Sequence, residues 1–514
     1  VNAVGPSPQQ QVKYEFVRYT RGRVLDLGEG PHKAFPHFAA VRLPDDAECE
    51  RRKLREIVTA SFGLLPEIED GSCDAIVATD TYRLLHGVPL ADALVRWLTC
   101  LRDGGHLCLY EPDPEVAPLG AIMAAVNAAS RHCPLDVARC EEWPAGGLLL
   151  VLRKGADQAL TMTYSNPRPE KTCCIVRHGG YGDQIQAAAL LPELKRQGYH
   201  VTFLTTEKGQ DILREDPHID EWYIVDRNQV PNSELTWFWK ITARHYDKFV
   251  NLNESVESTF LASPGRIQHT WPHAVRHRLL NHNYTEHAFA VAELPMRAEG
   301  RFYPDEQEQM LARQFMTGIR NDMNAGLRIG ERAQPVFVIL WALAGSSPHK
   351  FTPHQDVVID MILSRLKRAA VVLVGDEACK ILEAGWEEAP RVYCRSGELS
   401  IRQTLTMALH ADLVVGPETG VLNAVAYEAM PKVVMLSHSS VENLTKHWIN
   451  TEAIPGQAHC YPCHQLHYTA EFCPQHPESG AALCQAGVHP DSIYAPIDAA
   501  YTQWVRVNML RSAA

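Results

Sequence analysis

The chain has 514 residues, 46% apolar and 21% charged, the balance of a globular protein and too long for one ordinary core, so about three domains are expected. Its 49 Lys+Arg against 61 Asp+Glu give a formal net charge of −12, which excludes general attraction to phosphate backbones and makes nucleic acid a poor partner. No apolar run reaches the roughly eighteen residues that a spanning helix needs, and no basic, apolar, small-residue leader opens the chain, so a cytoplasmic protein without a transmembrane segment is expected.

Residues 1–10, polar and bearing Pro6 and Pro8, read as a loose tail, with order beginning near Val12. From 11 to 155 the pattern alternates. Arg23–Leu27 reads as a strand entering the Gly28–Gly30 turn, Asp74–Ala78 as a strand, and Ala91–Leu101 as a helix. After a Gly104-Gly105 turn, His106–Tyr110 and then Gly147–Leu152 read as further strands. Strands alternating with helices imply a parallel sheet covered on both faces. Residues 156–171, with Pro167 and Pro169, read as a linker.

Residues 172–325 form a second β/α unit that opens with the most informative stretch, Cys174–Asp183. An apolar strand enters a turn holding Gly179, Gly180 and Gly182, the turn ends in one carboxylate, and a helix runs from Gln184 to Arg196. Doubly wound sheets present reactive side chains this way at a strand's carboxyl end. The glycines allow close ligand approach, and the first-turn amides attract anions. The same residues also suit a plain N-cap at Asp183. Further strands are expected at Val201–Thr205, Trp222–Asp226 and Lys248–Leu252.

Residues 326–495 form a third unit with strands at Pro335–Trp341, Ala369–Gly375, Ala411–Gly416 and Lys432–Leu436. Two polar turns follow strands there. In Ala344–Lys350, the side chains of Ser346, Ser347 and Lys350 suit a diphosphate. In Gly416–Asn423, Glu418, Thr419 and the helix amides from Gly420 onward come together. Either turn alone is also ordinary capping chemistry; both on one sheet favour a ligand site. Two successive Rossmann-like units make a two-lobed nucleotide binder.

Of the 14 cysteines, ten sit singly or in apolar stretches such as Cys173–Val176 and read as small core residues. The others lie in a cysteine-rich loop, 459–485. Cys460 and Cys463 are spaced C-x2-C, Cys473 and His476 C-x2-H, and Cys484 follows. The first three with His476 or Cys484 match a closed structural zinc site, and they match a metal-free cysteine loop equally well.

Taken together over about 172–505, these motifs resemble glycosyltransferase family 9, the heptosyltransferase-type enzymes. The matching residues are Gly182-Asp183 opening a helix, Gly345–Ser347 with Lys350, Glu418–Gly420 before a helix and, more weakly, Gly375–Glu377 after the middle strand. The resemblance implies a GT-B fold of two Rossmann-like lobes, with residues 496–514 as a C-terminal helix packing on the first lobe. It also implies inverting transfer of a heptose-like or other sugar from a nucleotide-sugar donor to an acceptor hydroxyl, with no catalytic metal or other cofactor. It gives Asp183 the role of base, Ser346, Ser347 and Lys350 the diphosphate, and Glu377 the ribose, with Gly180, Gly182, Glu418, Thr419, Gly420 and Asn423 also at the donor. The family usually carries Asp where Glu418 stands and His where Asn423 stands. The acceptor implied is a glycan, a lipopolysaccharide or a protein, and an oligomer is compatible with the reading.

Residues 11–155 resemble a class I methyltransferase, whose S-adenosylmethionine loop corresponds to Val24–Gly30 with Asp26, Gly28 and Gly30. The acidic residue that should end the second strand is shifted to Asp45, and His32 replaces a common glycine. A degenerate, structural or partner-binding domain that does not use S-adenosylmethionine is therefore expected ahead of an active methyltransferase in a bifunctional enzyme. The rival from another class is a non-catalytic assembly protein that retains both folds.

Overall fold

The computed structural model describes residues 6–513 except 7, 28–33, 44–55, 114, 117, 144, 145, 156–168, 254–266, 298, 326–332, 346 and 467–472. Gly28, Gly30, Ser346 and most of the expected linker therefore lie outside the described residues. The chain is mixed α/β with three sheets. It divides into two compact units, one of residues 1–172 with 223–248, the other of 173–222 with 249–514.

The first sheet holds β1 (Val24–Leu27), β2 (Ala39–Arg42), β3 (Glu56–Val58), β4 (Cys73–Thr79), β5 (Leu101–Glu111), β6 (Leu135–Glu142) and β7 (Leu148–Lys154). Their order is β3-β2-β1-β4-β5-β7-β6. The pairs from β3 to β5 are parallel and the last two antiparallel. Helix Leu90–Cys100 places Ala93, Leu94, Trp97 and Leu98 at helical spacing on the sheet, and all are buried. The expected turn at Gly104-Gly105 is taken up within β5, with an irregularity in the register beside Cys73 and Ala75. In the same unit a helix already runs over Pro8–Glu15, earlier than the expected onset near Val12, because proline is tolerated in a first helical turn, where its missing N–H costs nothing. Tyr14 from that helix donates to Glu234 at 2.9 Å, and Gln229 donates to the Val17 carbonyl at 2.7 Å.

The second sheet holds β8 (Thr172–Val176), β9 (His200–Thr205), β10 (Glu221–Ile224) and β11 (Lys248–Asn251) in the order β10-β9-β8-β11. The third holds β12 (Phe337–Ala342), β13 (Ala369–Val374), β14 (Val392–Cys394), β15 (Leu413–Pro417), β16 (Lys432–Met435) and β17 (Thr451–Ile454). Its order is β14-β13-β12-β15-β16-β17, with every pairing parallel. β12, β13, β15 and β16 are buried along their whole length, as strands covered on both faces must be. Cys173, Ile175, Val201 and Phe203 of the second sheet share one core with Val338, Leu340, Val372 and Val414 of the third. Buried Arg402 reinforces the join, donating to both Glu308 oxygens at 2.7 Å and to the Ile212 carbonyl at 2.7 Å.

The C-terminal helix, Pro490–Ala513, corrects its expected position. It packs on the third sheet, not on the first lobe. Ile493, Tyr494 and Ile497 join the core of Phe337, Ile339 and Val358, and the Tyr501 and Trp504 rings lie 5.5 and 5.4 Å from the Phe337 ring. This aromatic ridge is the apolar face the helix has to bury. No helix among the described residues is long and apolar enough to cross a membrane.

Candidate functional site

In the third sheet the chain builds β12, β13 and β14 outward in one direction, then returns to lay β15, β16 and β17 on the other side of β12. The strand order reverses between β12 and β15, and ligands of open α/β sheets bind outside the carboxyl ends of strands at such a switch point. The turns after these two strands are Leu343–Lys350 and Glu418–Gly420, the two singled out in the sequence. Lys350 joins them, its Nζ donating to the Glu418 carbonyl at 2.8 Å. Its stem folds back over Gly345, where any side chain would collide with it. Ser347 is buried at the start of the short 3-10 turn Pro348–Lys350. Thr419 precedes helix Gly420–Ala424, and its Oγ1 is buried with no hydrogen-bond partner among the described residues. An unmatched hydroxyl beside a lysine is a ready donor for a phosphate oxygen.

The second sheet supplies the opposing group. After β8, Gly179 takes φ +111°, which only glycine adopts readily, and helix Tyr181–Ala188 begins at Gly180. Asp183, in the first turn, accepts from the Gly180 N–H at 2.6 Å and from Arg177 Nη2 at 2.9 Å. Asp183 is therefore not the N-cap that its sequence position also suited: Gly180 is, and the Asp183 carboxylate, in the third helical position, bonds back to it while pairing with Arg177. Its side chain is still 33% exposed, whereas that of Arg177 is 3% exposed. Arg177 also reaches the Leu252 carbonyl, and the backbone N–H of the neighbouring His178 donates to Asn253. Burial, then the charge of Arg177, pushes the His178 pKa down to about 4, so its ring is neutral near pH 7.

Two glycines bring these elements together. A Cβ on Gly182 would stand 2.9 Å from Asn423 Nδ2 and 3.6 Å from the Gly420 Cα; one on Gly420 would stand 3.3 Å from the Gly182 N. The glycines expected to make room for a ligand instead let two helix starts touch. Asn423 spends its amide on the same contact, donating to the Thr419 carbonyl at 2.8 Å and accepting from Gln186 at 2.9 Å.

Glu418 also turns away from the expected ligand position. It is 4% exposed, and its Oε1 accepts from the Ser437 N–H at 2.7 Å, the His438 N–H at 2.9 Å and the Ser437 hydroxyl. Burial pushes its carboxyl up, but His438, Lys350 and the Ser437 hydroxyl outweigh this and hold it well below the usual carboxylate range. Glu377 stands after β13 as expected, with its side chain 74% exposed and paired with Lys380 at 2.9 Å. Arg177, Gln186, His349 and His438 were not anticipated. An arginine closing the apolar run Cys173–Val176 is a visible signal for the first, whereas the others need the strand order.

Asp26, in β1 of the first unit, is buried and accepts from the Ala34 N–H at 2.7 Å. In the cysteine-rich loop, His476 bonds Ser479. The thiols of Cys460, Cys463, Cys473 and Cys484 lie in one another's field: burial and then the neighbouring thiols push Cys463 and Cys484 up to about 12. Among the described residues, no three His, Cys, Asp or Glu side chains are gathered as ligands of one ion.

No protein-family model matches the chain, and no curated protein does. Among solved structures it is similar to a glycosyl transferase of family 9 from Veillonella parvula (TM-score 0.46, 13% identity, 65% of this chain and 98% of that one). It is also similar to the E. coli ADP-heptose LPS heptosyltransferase II (0.43, 16%, 65% and 99%). The N-methyltransferase NodS from Bradyrhizobium japonicum matches at TM-score 0.23 and 16% identity, over 29% of this chain and 94% of that one.

Proposed function

We propose that the chain is an inverting, metal-independent glycosyltransferase that moves a heptose-like or other sugar from a nucleoside-diphosphate donor to a hydroxyl of a glycan, lipopolysaccharide or protein. One observation carries this reading. Across the contact of Gly182 with Gly420, a solvent-reachable carboxylate, Asp183, opposes the two switch-point turns, one holding Lys350 and the other the unmatched Thr419 hydroxyl. In the transfer, Asp183 takes the proton of the acceptor hydroxyl as its oxygen forms a bond to the anomeric carbon. The carbon–oxygen bond to the diphosphate breaks on the opposite face, and Lys350, with Thr419 and the first amides of helix Gly420–Ala424, receives the leaving charge.

The domain plan that goes with this reading is a methyltransferase-like domain over 11–155, an acceptor lobe over 172–325 and a donor lobe over 326–495. The bond that Asp26 accepts from the Ala34 N–H supports a structural role for the first domain without S-adenosylmethionine. In the cysteine-rich loop, Cys460, Cys463, Cys473, His476 and Cys484 do not form a ligand set for one ion among the described residues, so the function proposed uses no zinc there.

The test is a panel of nucleoside-diphosphate sugars, read by release of the nucleoside diphosphate and by thermal shift, since a ligand of the native state raises apparent stability. Neither release nor stabilisation across the panel would instead favour a non-catalytic assembly protein. The inward carboxylate of Glu418 is the observation on that side.

A further inference from the structure

Behind Lys350 lies a chain of buried polar contacts that the transfer chemistry does not use. Glu418, His438 and His349 are 4%, 6% and 3% exposed. They sit in the turns after β15, β16 and β12, three strands that lie side by side. His438 Nδ1 is 3.2 Å from Glu418 Oε1 and 3.1 Å from His349 Nε2. A carboxylate only accepts, so His438 Nδ1 carries the proton facing it, and His349 turns the lone pair of Nε2 towards that same proton. His349 immediately precedes Lys350, whose Nζ bonds the Glu418 carbonyl. Glu418 is therefore gripped at its carboxylate by the β16 turn and at its carbonyl by Lys350, and the two imidazoles close the ring.

We propose that Glu418, His438 and His349 form a buried strut that sets the position of Lys350 for the donor diphosphate, with both histidines as positioning residues acting through that lysine. The ligand named rests on the transferase reading; the strut rests on the contacts alone. A lysine on a four-carbon stem loses much rotamer freedom when it is fixed on a ligand. Holding the turn in place beforehand removes part of that loss from binding. The network also crosses from one strand end to the next, so a single change loosens all three turns. Removing one partner of a buried polar pair is costly, so His438→Leu is set beside the milder His438→Asn and the melting temperature of each variant is checked first.

The experiment compares His438→Leu, His438→Asn and His349→Leu in the wild-type and Lys350→Met backgrounds. Affinity for ADP, GDP and UDP is measured by calorimetry, and amide hydrogen exchange over 343–350 and 417–420 is followed in the ligand-free protein. His438→Leu is expected to weaken the best-bound nucleotide about tenfold, and His438→Asn, whose side-chain amide can occupy the place of Nδ1, to recover most of it. In the Lys350→Met background the leucine should add nothing, and exchange over 343–350 should be faster in the leucine variants. Unchanged affinity, a loss that adds in full to that of Lys350→Met, or exchange over 343–350 as slow as in the wild type would each overturn the strut. A wild-type chain that binds none of the three nucleotides sinks the transferase reading, and the exchange result then decides the strut by itself.

Discussion

Replacing Asp183 with asparagine tests the proposed base, and the contacts around it dictate how the variant must be read. Asparagine can still accept from the Gly180 N–H, so the start of helix Tyr181–Ala188 survives. What it cannot do is balance Arg177, whose side chain is 3% exposed. Breaking a fully buried ion pair costs about 3–5 kcal/mol because a charge is left without compensation. Here the aspartate side is 33% exposed, so water reaches the site and the cost falls to about 1–2 kcal/mol. A fall in turnover could therefore come from a shifted arginine instead of a lost base.

The double variant Arg177→Met/Asp183→Asn removes the unbalanced charge and separates the two causes. With the donor identified by the nucleotide-sugar panel, single-turnover rates and calorimetric affinities are measured on the single and double variants, with melting temperature as a check on folding. A lost general base should lower the rate about 10²–10⁴-fold in both variants and leave nucleoside-diphosphate affinity nearly unchanged, because Lys350 and Thr419 belong to the other sheet. Turnover within about tenfold of the wild type in either variant would remove Asp183 from the proton transfer.

Gly182→Ala should cost about 1–3 kcal/mol in urea unfolding, since its methyl group would stand 2.9 Å from Asn423 Nδ2. Gly318→Ala, in a helix with nothing within 4 Å of the added carbon, should instead gain up to about 1 kcal/mol; equal effects would refute the packing role of Gly182. The His178 pKa of about 4 lies below the ordinary histidine value of 6.5, so between these values the unfolded chain binds the extra proton. Stability is then full above about pH 6.5 and falls as pH drops towards about 4, by about 3 kcal/mol in all. Denaturant titrations should find that slope in the wild type and a smaller one in His178→Gln.

The three-sheet plan is legible in the sequence where strands are buried on both faces. β12, β13, β15 and β16 are near-continuous apolar runs bounded by glycine or polar turns, and no amphipathic alternation competes with that reading. β6 is harder to see. It is an edge strand whose residues from Val137 to Glu142 are exposed or half-buried, so its pairing with β7, more than its composition, makes it a strand. The same holds for β17, with only Ile454 fully buried. At the site, residue type and position in a turn picked out Lys350, Thr419 and Asp183. The direction in which Glu418 and Asn423 point was beyond such reasoning, because their partners Ser437, His438 and Gln186 lie on other strands and helices and become neighbours only through strand order.

Glu418 makes this difference measurable. Aspartate there would count as conservative by charge and by the resemblance to family 9, and it would fit if the carboxylate served the ligand. In the structure, the extra methylene carries Oε1 across to the β16 turn, where the Ser437 N–H, the His438 N–H and the His438 ring all point at it. Aspartate keeps the charge and loses the reach, leaving buried donors unpaired at about 1–3 kcal/mol each. Glutamine keeps the reach and an acceptor oxygen, and gives up only the charge opposite His438 and Lys350. If the side chain is a strut, Glu418→Asp is the more destabilising change and Glu418→Gln the milder one, in both urea midpoint and nucleotide affinity. The reverse order, with aspartate close to wild type in affinity and glutamine not, would mean that the charge of Glu418 reaches the ligand and that its inward bonds are incidental.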